Sequence, residues 1–245
     1  MTSKPTGRRI IIGDPGSCHL GELSRAKTLI SVGAEAGLDA VKFQLFRDKA
    51  IGNIPMPDAW IPELVEHGKK KGVEVFASVW DQAGIDALAK AGCQSIKFAY
   101  SMRDSRYVKS VCLGGRFERV YLSCNLMSDL TPLGADGDNV IHLYCIPEYP
   151  VPYQVHFAGL FRGTEHRESF DGFSDHTLGI LQSVAALQMG ARVIEKHFCM
   201  GTRYDNAVPD GRFALSPQEL GWLCTVAHDE LYRHMDWFAR LKGGR

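Results

Sequence analysis

The chain has 245 residues, 45% of them hydrophobic, and its 28 basic residues are balanced by 28 acidic ones. That length buries one full core without room for a second large domain. The even charge, with no Lys/Arg block interleaved with aromatics, argues against a nucleic-acid groove or an anionic membrane surface and for a small-molecule partner.

The predicted elements alternate strand and helix along the chain. A short apolar strand over 9–13 runs into a Gly/Pro/Ser loop over 14–21, followed by a helix over 22–36 that Gly37 caps. The second strand covers 40–44. A Pro-rich segment over 54–62 leads into a helix ending near Gly72, and the third strand covers 73–79. A helix over 82–91 precedes the strand 95–98, a polar helix over 104–113 precedes 119–122, and the sixth strand covers 139–144. The stretch 171–198 supplies the last two strands, one ending in Ser174-Asp175-His176 and one in Glu195-Lys196-His197, around an amphipathic helix over 178–189. Ser216-Pro217-Gln218-Glu219 reads as a capping box, and the helix it opens extends to about Leu241. No 18-residue apolar run exists, the isoleucines after the basic start are too few for a signal-peptide core, and the seven cysteines lack CxxC spacing. Reduced thiols and a cytoplasmic location are expected.

Eight such units without a linker predict a single-domain α/β fold, a closed (β/α)₈ TIM barrel, whose polar residues after the strands gather at one mouth. Those positions hold Asp14, His19, Lys42, Gln44, Trp80, Asp81, Lys97, Ser123, Glu148, Tyr149, Ser174, Asp175, His176, Glu195, Lys196 and His197. Two imidazoles at matching ends of neighbouring strands suit a divalent ion, though histidines at strand ends are also commonly packed for structural reasons. A lysine within an apolar strand needs an anion to offset its desolvation. For Lys42 and Lys97 that anion is either a ligand or an internal carboxylate such as Asp14 or Asp81.

Several segments together resemble the sialic acid synthase family: AGLDAVKFQLF at 36–46, VFASVWD at 75–81, YCIPEYPVPY at 144–153, GFSDHTLGI at 172–180, GARVIEKHF at 190–198 and ALSPQEL at 214–220. The resemblance implies condensation of phosphoenolpyruvate with an N-acetylmannosamine-like aldose or its 6-phosphate, giving a nine-carbon 2-keto sugar acid and phosphate. By the same resemblance, His176 and His197 hold a divalent metal, Mn²⁺ or Mg²⁺. Lys42, Lys97, Ser123 and Ser174 match positions that bind phosphoenolpyruvate, and Gln44, Tyr149, Glu195 and Asp210 match positions around the sugar. Glu195, Asp14 and Asp210 form the catalytic set, with Glu195 moving protons, and a homo-oligomer is expected.

The chain also departs from the family pattern. Its first loop reads GDPGSCHLG, with Asp14 for the usual glutamate and Cys18 for asparagine; Tyr100 and Pro147 stand where the family has phosphate-binding residues, with Arg103 or Arg106 as nearby substitutes. With only Lys242-Gly243-Gly244-Arg245 after Leu241, the family's C-terminal antifreeze-like domain is not expected in this chain. Two other readings remain open: a metal-dependent barrel aldolase acting on a sugar phosphate, and a ligand-binding barrel without catalysis. Cys145 and the strand phenylalanines read simply as core.

Overall fold

The structure is a computed structural model that describes residues 8–47, 53–125, 139–152, 154–157, 159–161, 170–201 and 210–229. Eight parallel strands, β1 (Ile10–Asp14), β2 (Ala40–Leu45), β3 (Glu74–Val79), β4 (Ser95–Phe98), β5 (Arg119–Cys124), β6 (Val140–Cys145), β7 (Gly172–Asp175) and β8 (Val193–His197), pair in sequence order and close on themselves. The ring shuts where β1 meets β8 in parallel, with Asp14 opposite His197. This is the (β/α)₈ barrel expected from the sequence. Buried on both faces, the strands are nearly continuous apolar runs, as a parallel sheet covered by helices requires.

The helices among the described residues are α1 (Leu23–Ala36), α2 (Ile61–Lys71), α3 (Gln82–Lys90), α4 (Arg106–Gly114), α5 (Leu181–Gln188) and α6 (Pro217–His228). None of them is long and apolar enough to cross a membrane. Gly37 ends α1 at φ 94°, where a side chain would be strained. The capping box of α6 is formed: Ser216 Oγ accepts from the Glu219 N–H at 3.3 Å, and Glu219 Oε2 accepts from the Ser216 N–H at 3.0 Å. Its continuation to Leu241 lies outside the described residues.

Most boundaries shift by a few residues from the sequence reading, and two helix starts show why. The helix expected from residue 178 starts at Leu181, because Gly179 takes φ 68° and breaks the approach. The helix expected from 104 starts at Arg106, because the Ser105 hydroxyl caps it by accepting from the Tyr107 N–H. The sixth strand extends to Cys145, which adds one more inward-facing residue at the mouth.

Packing between β7 and β8 sets the spacing of the site that follows. A Cβ on Gly172 would lie 2.2 Å from the Val193 carbonyl oxygen, so only glycine lets the two strands approach this closely. Inside the barrel Phe76 stacks on Tyr121 with ring centroids 5.4 Å apart, flooring the mouth with apolar material. The opposite end is closed by ion pairs, with Arg119 2.8 Å from Glu74 and its Nε donating to Ser95 Oγ at 3.0 Å.

Candidate active site

Residues that alternate along a strand share a face, and here the inward face of each strand delivers polar atoms to one cavity at the C-terminal mouth. Asp14 comes from β1, Lys42 and Gln44 from β2, Ser78 from β3, Lys97 from β4, Ser123 from β5, Cys145 from β6, Ser174 from β7 with His176 just beyond it, and Glu195 and His197 from β8. The cavity is about 90 Å³ and open at the mouth.

Its centre is a charge-balanced cluster. Lys42 Nζ donates to Asp14 Oδ2 at 2.7 Å and Ser78 Oγ at 2.9 Å, and lies 3.4 Å from Glu195 Oε1. Lys97 Nζ donates to both Glu195 oxygens, at 3.1 and 2.9 Å, and the Ser174 hydroxyl donates to Glu195 Oε1 at 3.1 Å. Gln44 Nε2 and the Gly16 N–H complete the shell of Asp14 at 2.9 and 2.8 Å. Burial works to raise both carboxyls, but the lysine charges outweigh it: Glu195 is lowered to about 2 by Lys42 and Lys97, and Asp14 is held well below its usual range by Lys42 and His197. Burial alone would lower the Lys42 ammonium, and Asp14 and Glu195 reverse that, so its affinity for a proton is raised. Asp14, Lys42 and Glu195 are thereby charged at neutral pH, and the hydrogen bonds of Lys97 to Glu195 complete the cluster.

The histidines stand beside this cluster with ring centroids 5.9 Å apart. His176 Nδ1 lies 2.9 Å from the Ile146 carbonyl, which can only accept, so Nδ1 carries the proton and Nε2 keeps its lone pair. Burial, reinforced by His197, lowers the His176 pKa to about 4 and keeps the ring neutral. His197 Nε2 lies 3.6 Å from Asp14 Oδ2, and its Nδ1 is buried without a hydrogen-bond partner among the described residues. A neutral imidazole oriented by a carbonyl and a second one with a buried free nitrogen form a donor set suited to a divalent cation. No group of three or more His, Cys, Asp or Glu among the described residues is arranged to hold a metal, so these two side chains would leave most coordination positions to water or substrate. Aromatic rings surround the pair: Tyr149 stacks on His176 at 4.0 Å, and Phe213 meets His197 edge-on at 5.0 Å and Tyr149 at 5.4 Å.

Eleven mouth positions singled out from the sequence line this cavity: Asp14, Lys42, Gln44, Trp80, Lys97, Ser123, Tyr149, Ser174, His176, Glu195 and His197. Asp210 stands apart, at φ 64°, where its Oδ2 accepts from the Ser17 N–H at 3.3 Å and braces the loop after β1. Asp175 points away from the mouth, one residue out of phase with Ser174 and His176, and pairs with Lys196 behind the barrel wall. Asp81 caps α3 and binds Arg47, so neither cavity lysine uses it. Tyr100 lines the cavity with the Arg103 guanidinium 4.3 Å above its ring, whereas Pro147 belongs to a neighbouring cleft after β6. Cys145 is both core and cavity wall. Ser78 and Phe213 were missed. A small polar residue at an inward position of an apolar strand is the signal that would have found Ser78, while nothing local marks Phe213.

The sequence matches the NeuB family over residues 50–231. It is 28% identical over 252 residues to the N,N'-diacetyllegionaminic acid synthase of Campylobacter jejuni, an alignment covering 89% of this chain and 75% of that protein. It is likewise 28% identical to the spore coat polysaccharide biosynthesis protein SpsE of Bacillus subtilis, over 86% of this chain and 64% of that one. Among solved structures, the N-acetylneuraminic acid synthetase of Leptospira borgpetersenii superposes with a TM-score of 0.80 at 24% identity, covering 94% of this chain and 85% of that chain, and shares the fold.

Proposed function

The chain belongs to the NeuB family, and from that premise we propose that it joins phosphoenolpyruvate to the aldehyde carbon of an N-acylated amino sugar, giving a 2-keto sugar acid and inorganic phosphate. The observation that carries this reading is the pair of buried lysines, Lys42 and Lys97, facing one cavity beside two imidazoles, His176 and His197. Paired ammonium groups flanked by the Ser123 and Ser174 hydroxyls suit a small substrate bearing both a carboxylate and a phosphate, through short charge-assisted hydrogen bonds. The names of relatives, synthases of N,N'-diacetyllegionaminic acid and of N-acetylneuraminate 9-phosphate, support an acetamido sugar as the other substrate.

In the proposed reaction a carbon-carbon bond forms between the methylene carbon of phosphoenolpyruvate and the aldehyde carbon. Water adds to the carbon bearing the phosphate, whose carbon-oxygen bond then breaks to release it. Lys42 and Lys97 hold the anionic substrate and neutralise the departing phosphate. Glu195, kept ionised by both lysines, takes a proton from the incoming water and returns it to the oxygen of the former aldehyde, which becomes a hydroxyl, and Asp14 holds Lys42 and Gln44 in position. Gln44 and Tyr149 face the sugar side. His176 and His197 are the residues that would hold a divalent cation, Mn²⁺ or Mg²⁺, which supplies Lewis-acid polarisation of the sugar carbonyl when bound.

The test is phosphate release from phosphoenolpyruvate with Mn²⁺ and a panel of mono- and diacetamido aldoses and their 6-phosphates, with the product read by mass. Aldose-dependent phosphate release with a product of matching mass is expected. Phosphoenolpyruvate left intact across the panel would sink the reading.

A further inference from the structure

The two histidines are oriented by different means. His176 has the usual second contact, its Nδ1–H donated to the Ile146 carbonyl at 2.9 Å. His197 has no such bond among the described residues: its Nδ1 is buried and unpartnered, and Asp14, 3.6 Å from its Nε2, is already committed to Lys42, Gln44 and Gly16. The ring is instead packed. Phe213 meets it edge-on at 5.0 Å with planes 89° apart, and Tyr149 meets it at 6.2 Å and 82°.

Phe213 reaches this position because its segment is fastened to the end of β8. Leu215 N–H donates to the His197 carbonyl at 2.8 Å, and Cys199 N–H donates to the Leu215 carbonyl at 3.0 Å. Phe213, two residues before Leu215, is buried at 9% exposure. Its ring also touches Tyr149, which stacks on His176, so one phenylalanine contacts both halves of the aromatic surround.

We infer that Phe213 is a positioning residue that sets the orientation of the His197 ring, taking through edge-on packing the role that the Ile146 carbonyl takes for His176. The inference rests on the reading of His176 and His197 as holders of a divalent cation. An edge-to-face contact has a preferred geometry that an aliphatic side chain of similar volume does not reproduce.

The experiment is Mn²⁺ binding to the purified protein by calorimetry, in the absence of substrates, with thermal unfolding measured on each variant. Phe213→Leu and Phe213→Met are expected to weaken Mn²⁺ binding roughly tenfold with little change in unfolding temperature, while Phe213→Tyr, which keeps the ring, stays within about twofold of the wild type. His197→Ala is expected to abolish uptake. If His197→Ala abolishes uptake but both aliphatic variants bind as the wild type does, the role of Phe213 is overturned and the cation reading stands. If the aliphatic variants lose uptake only in step with thermal stability, and tyrosine does not restore it, the role is overturned as well. A wild type with no Mn²⁺ uptake dependent on the two histidines overturns both.

Discussion

Neighbouring residues on β8 take part in two buried ion pairs of opposite function. Glu195 faces inward and meets Lys97 at 2.9 Å; Lys196 faces outward and meets Asp175 of β7 at 3.0 Å. The outward pair is fully buried, at 0% exposure for both side chains, and closed by further partners. Ser183 Oγ donates to Asp175 Oδ2 at 2.5 Å, the Thr177 N–H donates to Oδ1 at 2.8 Å, and Lys196 donates to the Thr177 carbonyl. This pair ties β7, β8 and α5 together and does not line the mouth cavity. The inward pair is almost as buried, at 2% and 6%, yet it lines the mouth and shares its carboxylate with Lys42 and Ser174. Burial is therefore not what separates a structural ion pair from a site. Access to the mouth cavity is.

The largest effect should come from breaking the sealed pair. Lys196→Met leaves Asp175 buried without its counter-ion and is expected to cost about 3–5 kcal/mol of unfolding free energy, read by urea denaturation. The double variant Asp175→Leu/Lys196→Met should recover most of that loss, because no uncompensated charge remains. The inward carboxylate should behave in the opposite way: Glu195→Gln keeps the fold and lowers kcat on the order of 10³-fold, measured by the phosphate-release assay. A stability loss equal to that of Lys196→Met, without a selective loss of turnover, would erase the distinction. Lys97→Met is expected to raise the KM for phosphoenolpyruvate by roughly 10–100-fold, corresponding to about 1.5–3 kcal/mol for hydrogen bonds to a charged ligand. The smallest change is Ser183→Ala, which removes one partner of Asp175. A loss of about 1–2 kcal/mol in denaturation with KM unaltered sharpens the contrast.

The same two pairs explain what the sequence could and could not reveal. A strand period of two puts 195 and 197 on one face and 196 on the other, so Glu195 and His197 were readable as mouth residues, whereas the pairing of Glu195 with Lys97 was not: only Asp14 or Asp81 had been named as an internal carboxylate for the lysines. Asp175 was counted among the mouth residues because it sits between Ser174 and His176, although the same period assigns it to the outer face. The barrel itself followed from eight apolar runs separated by helix signals, with Gly37 and the Ser216 box marking helix ends that the structure retains. Phe213 could not be found this way. Its place beside His197 depends on the chain folding back to bridge Phe198 and Leu215, a tertiary event with no local periodicity. Asp210 was placed by the family resemblance, counting back from the Ser216-Pro217 block, and neither its φ of 64° nor its acceptance of the Ser17 N–H on the first loop is legible in local periodicity.

The pairing of β1 with β8 brings the first and last strands of the ring into register at Asp14 and His197. Asp14, Lys42 and Gln44 arrive from the early part of the chain, and Ser174, His176, Glu195 and His197 from the late part, so the cavity does not exist until those distant segments have met. Contacts of such long sequence separation form late and slowly in folding. In a refolding experiment the site thus serves as a clock for ring closure: recovery of phosphate release should lag behind the return of helical signal, and a fragment ending before β8 should regain helix without regaining turnover.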